Sequence, residues 1–340
     1  VDRFAPLAMT AMGAIMNEPD LIARYFAPLA GPGGLGLADD AALLTPPPGC
    51  DLVLTADALV AGRHFFAEDP PDAIAAKALA VNLSDLAAKG AAPLGFLLSL
   101  ALPPDWSETF LAAFSKGLGE AARAARIDLL GGDTVATPGP LTLSITALGA
   151  VPSGQMVRRS GARLGDDLYV SGTIGDSALG LALRRAEIAS EARPRWTRGV
   201  ETAELIDRYL RPRPRLALAP ALRACATAAM DVSDGLIGDL RALMAASGAA
   251  AQVELALIPL SAPARAALDA DPALLETLLT GGDDYEILCA VAPERAAAFE
   301  MAAGEAGTAV TRIGAVAACQ IFRAPDGTTR NFTRDRFSHF

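Results

Sequence analysis

Strand-like and helix-like stretches succeed one another along almost the whole chain, and this alternation limits the fold more than any other feature. "DLVLTADALV" (51–60) reads as a strand running into a turn. "PDAIAAKALAVNLSDLAAKG" (71–90) reads as a helix, opened by Pro71 and Asp72 and stopped by Gly90. A second helix over "TFLAAFSKGLGEAARAARI" leads into the strand "IDLLGGDTV", and "LTLSITALGAV" (141–151) is another strand. Beyond Pro152 a strand–turn–helix unit, "GDDLYVSGTIGDSALGLALRRA", begins again. The pattern predicts an α/β or α+β fold. At 340 residues it fits two domains of ordinary size, with the boundary near Pro152 to Gly154: 17–151 and 152–340. Residues 1–16 carry little charge, no helix cap and no signal-peptide architecture, so they are expected to be a disordered extension.

Composition excludes several functions. Only 5% of residues are aromatic while 52% are hydrophobic, so alanine and leucine must build the core. A net charge of −10 argues against nucleic acid and against an anionic membrane surface as partners. The longest uncharged runs are broken by Pro and Gly, unlike the ~20 apolar residues of a spanning helix. Four cysteines without CxxC spacing suggest neither zinc nor a disulfide framework, and fit a reducing cytoplasm. There is no GxxxxGK[ST] phosphate loop and no GxSxG elbow.

What stands out is aspartate in small, apolar surroundings: Asp39 and Asp40, Asp57, Asp85, Asp133, Asp231 and Asp234, and Asp283 and Asp284. Each has a local explanation. Asp85 lies four residues before Lys89 and can pair with it on a helix. Asp231 and Asp234 can end a strand and start a helix, with Ser233 as N-cap. Asp133 after two glycines can be a turn residue. Asp239 is expected to face water. The alternative is that these acids, at strand ends, hold a hard cation such as Mg²⁺, which prefers carboxylates, keeps water and bridges to phosphate. His64, the only internal histidine, is open to either a structural or a functional reading.

Taken in order, "ADDAALL", "TADALVAGRHF", "KALAVNLSDLAAKGAAP", "GGDT", "RSGARLGD", "GTIGDSALGL", "LRPRPR", "DVSDGLIGDL" and "GGDDYE" resemble the thiamine-monophosphate kinase family, within the aminoimidazole-ribonucleotide synthetase superfamily. The resemblance runs from about Leu21 to the C-terminus. It implies an N-terminal α/β domain that forms a β-barrel across a homodimer, and a C-terminal α/β domain over the site. It implies transfer of the γ-phosphoryl of ATP to thiamine monophosphate, with several Mg²⁺ ions. By similarity Asp40, Thr55, Asp57, Asp85, Asp133, Asp231 and Asp234 are metal ligands, with the main-chain carbonyl of Ala56. Gly132, Asp133, Arg159 and Ser233 match ATP-contacting positions, with Asp133 and Arg159 the catalytic candidates; Arg158 and Arg163 are neighbouring alternatives to Arg159. His64, Asp283 and Phe337 match positions near the thiamine substrate. The chain departs from the family pattern at Ala38, where glycine is usual, at Ala56, where a hydroxyl is usual, and at Asp283, where glutamate is usual. Two rival readings are another ATP-using enzyme of the superfamily and an inactive nucleotide or thiamine-phosphate binder. The first Cys, Cys50, lies outside any selenophosphate-synthetase motif, and the aspartate set is complete.

Overall fold

The computed structural model describes residues 16–332. The N-terminal region opens with a single turn, α1 (Glu18–Leu21), capped by Asn17, whose Oδ1 accepts the Asp20 N–H at 2.9 Å. Four strands follow with two helices between them: β1 (Cys50–Val60), α2 (Pro71–Ala88), β2 (Ala92–Leu102), α3 (Glu108–Ala125), β3 (Asp128–Ala136) and β4 (Thr142–Pro152). They form a sheet of order β1-β4-β2-β3, antiparallel except for the β2–β3 pair that α3 connects. β1 and β3 are therefore opposite edges.

The second sheet has order β10-β7-β9-β5-β8-β6 and is antiparallel except for its β10–β7 edge. Its elements are β5 (Asp167–Ser171), α4 (Asp176–Ile188), α5 (Ala203–Leu210), α6 (Ala219–Cys225), β6 (Ala226–Val232), α7 (Leu236–Ser247), β7 (Ala250–Glu254), α8 (Ala262–Ala270), α9 (Leu274–Thr280), β8 (Glu286–Val291), α10 (Ala296–Glu305), β9 (Val310–Ala317) and β10 (Ile321–Arg323). Mostly antiparallel sheets with helices on their faces make this an α+β arrangement in two units.

α2 is the piece that joins them. Fourteen of its eighteen residues are buried, because one side packs on β1 and β4 while the other meets β6, β8 and the turn at Leu216–Leu218. A helix covered all round must be apolar all round, and the alanine-rich run 73–80 lets backbone approach from both sides. Its C-terminal Ala87 and Ala88 belong to a core cluster shared with Tyr169, Leu222 and Ile287 of the second unit.

Among the described residues, the outer face of the first sheet is left uncovered. Leu52 and Leu54 of β1, Leu97 of β2 and Val135 of β3 are exposed, and Leu54 pairs with Leu148 across the ladder. The sheet is open, with two edges and no barrel closure. Of the extension expected over residues 1–16, only Met16 is described; it is partly buried against the first core. The remainder, and Phe337, lie outside the described residues. Among the described residues no helix is long and apolar enough to cross a membrane.

Candidate active site

The seam between the two units is a cleft of about 520 Å³. Into it project Asp57, His64, Asp85, Arg159, Asp231, Ser233, Asp234 and Asp283, eight of the positions marked in the sequence. They arrive from β1 and the loop after it, α2, the β4–β5 connection, the end of β6 with the turn after it, and the loop ahead of β8.

Alternation along β1 turns Val53, Thr55, Asp57 and Leu59 toward α2 and leaves Leu54, Ala56 and Ala58 outward. Asn82, fully buried on α2, ties the two together: its Nδ2 donates to the Ala78 carbonyl at 3.1 Å and its Oδ1 accepts the Asp57 N–H at 3.2 Å. The Thr55 hydroxyl donates to the Asp85 carboxylate. Asp85 does not pair with Lys89. The Lys89 ammonium instead crosses to the second unit and donates to the Ala229 carbonyl at 2.8 Å.

Three of the cleft's acids, Asp57, Asp85 and Asp231, crowd one another. Burial, then the charge of Asp85, pushes the Asp57 carboxyl up to about 6. Burial, then Asp85 again, pushes Asp231 up to about 8. Carboxylates drawn together in low dielectric without enough cationic charge are a donor set suited to a divalent ion. No three His, Cys, Asp or Glu side chains among the described residues form a cage by themselves.

Asp239 corrects an expectation. It is buried, not facing water, and its Oδ2 accepts the N–H groups of Ser233 at 2.9 Å and Asp234 at 3.0 Å. Burial pushes its carboxyl up to about 7. Ser233 is not the helix cap: α7 begins at Leu236 behind Gly235, whose φ of 114° only glycine adopts readily. The amides of Ser233 and Asp234 are thus occupied by a side chain of the helix that follows them. Asp239 acts by fixing the turn that carries Ser233 and Asp234.

The two adjacent acids of "GGDDYE" separate completely. Asp284 is fully buried and accepts the Gly175 N–H through both oxygens, at 2.9 and 3.0 Å. Asp283 faces the cleft, where Oδ2 meets the Lys77 ammonium at 2.7 Å and Oδ1 accepts the Tyr285 hydroxyl at 3.3 Å. The Val60 N–H donates to His64 Nδ1 at 3.0 Å, which makes Nδ1 the acceptor nitrogen of that ring. Of the three neighbouring arginines, Arg159 lines the cleft and Arg158 and Arg163 do not.

Asp40, Gly132 and Asp133 are elsewhere. They line a second cleft of about 860 Å³, with Glu18, Asp39, Ser99, Thr134 and Thr146, beside the uncovered sheet face. The reason is topological: β1 and β3 are opposite edges of a four-stranded sheet, three strand spacings or roughly 14 Å apart. One chain alone therefore does not gather all the predicted ligands. Ala56 is exposed on the outer face of β1, and the Thr55 hydroxyl is engaged by Asp85.

Residues 38–151 match the family model for the AIR synthase related protein, N-terminal domain, and residues 163–325 match that for its C-terminal domain. A thiamine-monophosphate kinase of Caulobacter vibrioides is 46% identical over 318 residues, covering 92% of this chain and 86% of the relative. The chain belongs to the thiamine-monophosphate kinase family. Among solved structures of that family, the enzyme of Stenotrophomonas maltophilia K279a is 42% identical with a TM-score of 0.75, covering 86% of this chain and 91% of that one. AaThiL complexed with AMPPCP and TMP is 28% identical with a TM-score of 0.73, covering 95% and 99%. Lys77, Asn82 and Tyr285 lie inside motif stretches without being marked there as site residues, and Tyr209 lies outside them; the geometry brings all four to the cleft or its wall. Lys77 was within reach of sequence reasoning: Lys77, Val81 and Asp85 repeat every four residues on α2, and all three line the cleft.

Proposed function

We propose that this chain transfers the γ-phosphoryl group of ATP to thiamine monophosphate, giving thiamine diphosphate. The observation that carries the reading is the meeting of Asp57, Asp85 and Asp231 with Arg159 in one cleft at the seam between the two units. Close relatives named thiamine-monophosphate kinase, and a related structure holding an ATP analogue and TMP, support it.

The acceptor is a phosphate with a second pKa of ~6, so its oxygen is already anionic at neutral pH and needs no general base. The obstacle is repulsion between two polyanions, and catalysis is positioning plus neutralisation of an in-line transfer. Mg²⁺, when bound, would supply that neutralisation as a counter-charge to the phosphates. Asp57, Asp85, Asp231 and Asp234 would hold it in the first cleft, with Thr55 and the Ala56 carbonyl beside them and Asp40 and Asp133 on the second-cleft side. Arg159 clamps phosphate with its planar fork. Ser233 from the first cleft, and Gly132 and Asp133 from the second, would contact the nucleotide. His64, Asp283 and Phe337 serve the thiamine end. The uncovered apolar face of the first sheet supports a homodimer whose two sheets close a shared barrel. We place the reaction in the cytoplasm, where ATP is available.

Incubation with ATP, Mg²⁺ and thiamine monophosphate tests the reading. Stoichiometric thiamine diphosphate and ADP are expected. ADP without thiamine diphosphate, or no turnover, would overturn it.

A further inference from the structure

The cleft has two ends, set by one helix. Lys77 and Asp85 are eight residues apart on the same face of α2, a separation of about 12 Å along its axis. Asp57 and Asp231 stand near Asp85. Asp283 and Tyr209 stand at Lys77, and Tyr285 reaches from Asp283 back toward Asp57 and Asp231. A phosphate at the first end places the ring system of the same substrate near the second.

Lys77 is almost fully buried, its side chain 3% exposed. A buried ammonium is costly unless paired. Its partners come from the other unit: Asp283 Oδ2 at 2.7 Å, and the ring of Tyr209 on α5, whose centroid lies 4.0 Å from Nζ. Asp283 itself sits at φ 70° and Tyr285 at φ 51°, left-handed conformations that a tyrosine seldom adopts. The loop is pinned there by the Asp283 N–H to the Ser233 carbonyl at 2.8 Å and the Tyr285 N–H to the Val232 carbonyl at 2.8 Å. Backbone bonds thus fix where Asp283 stands. Lys77 on one oxygen and the Tyr285 hydroxyl on the other fix how its carboxylate is turned.

We propose that Lys77 is a positioning residue for thiamine monophosphate, orienting the Asp283 carboxylate toward the heterocyclic end of the substrate. The inference rests on the reading of Asp283 as a substrate-side group. Lys77 is paired with Asp283 and lies about two helical turns from Asp85, so we assign it to the substrate's heterocyclic side rather than to the transferred phosphoryl group.

Steady-state kinetics of Lys77→Met, Lys77→Arg, Asp283→Asn and the Lys77→Met/Asp283→Asn double variant, each checked for its melting temperature, test it. Lys77→Met should raise KM for thiamine monophosphate by about 10- to 100-fold, the scale of one charge-assisted hydrogen bond, with KM for ATP within about twofold of wild type. Lys77→Arg should recover part of the loss. The double variant should be no worse than the poorer single one, since both remove the same interaction. Equal rises in both KM values, a fall in kcat alone, or additive losses would overturn the inference. If Asp283→Asn leaves KM for thiamine monophosphate unchanged, the substrate-side reading of Asp283 fails. If Asp283→Asn raises it and Lys77→Met does not, Lys77 alone is excluded.

Discussion

Glu286→Gln tests how the second unit holds the Asp283 loop in place. Glu286 is fully buried at the start of β8, directly after the loop. Its Oε1 accepts Arg208 Nη2 at 2.7 Å and also Arg215 Nη2; its Oε2 accepts Arg215 Nε at 2.6 Å and Ser171 Oγ at 2.6 Å. One carboxylate thus balances two guanidinium groups. Arg208 is itself buried, and its remaining contact in the cluster is the Asp284 carbonyl at 3.3 Å; its Nε and Nη1 find no protein acceptor. An amide at 286 keeps the shape, removes the charge, and turns an NH₂ group toward arginine donors. Removing one partner of a buried ion pair costs about 3–5 kcal/mol. For a unit of this size each kcal/mol moves the melting temperature by about 2–4 °C, so a fall of about 6–20 °C is expected. Differential scanning calorimetry of the purified variant measures it. A fall under about 3 °C would refute the assignment of Glu286 as the counter-charge for both arginines, and with it the account of what anchors the loop.

Asp239→Ala should lower kcat by about 10-fold or more while Asp239→Asn, which retains one acceptor oxygen, should lose less, because the N–H groups of Ser233 and Asp234 need a partner to fix their turn; equal losses in kcat assays would argue against that role. Chelation with EDTA should abolish thiamine diphosphate formation and added Mg²⁺ should restore it; turnover that survives chelation would remove the divalent ion from the account. Phe337→Ala should raise KM for thiamine monophosphate more than KM for ATP, as an aromatic stacked on the substrate ring would require; equal rises would mark Phe337 as structural.

The alternation of elements and the bounds of β1, α2 and β4 were legible from period, Pro71 and Gly90, because those segments punctuate cleanly. That α2 is covered on both sides was also implicit in its run of alanines, although no single residue announces it. Long-range pairing was not legible. Nothing local places β1 and β3 on opposite edges, so the spacing of Asp57 and Asp133 across the sheet emerged only from topology. Neither does sequence separate Asp283 from Asp284, neighbours with the same side chain, one facing the cleft and the other locked on the Gly175 amide. Asp239 read as a solvated helix acid because its partners lie one turn outside the helix, in a loop whose course depends on the positive φ of Gly235. Lys89 sat at ideal spacing from Asp85, yet a carbonyl of the opposite unit won the ammonium, an instance of tertiary contact overriding a local i,i+4 pair.

Carboxylates from β1, α2 and β6 are proposed to hold divalent ions where two phosphate groups meet. Titration of Mn²⁺, followed by its electron paramagnetic resonance signal with a non-hydrolysable ATP analogue and thiamine monophosphate present, reads this directly in wild type, Asp85→Asn and Asp231→Asn. The account predicts that each variant weakens Mn²⁺ binding by about tenfold or more, or loses a site, while remaining folded. Unchanged stoichiometry and affinity in both variants would contradict it.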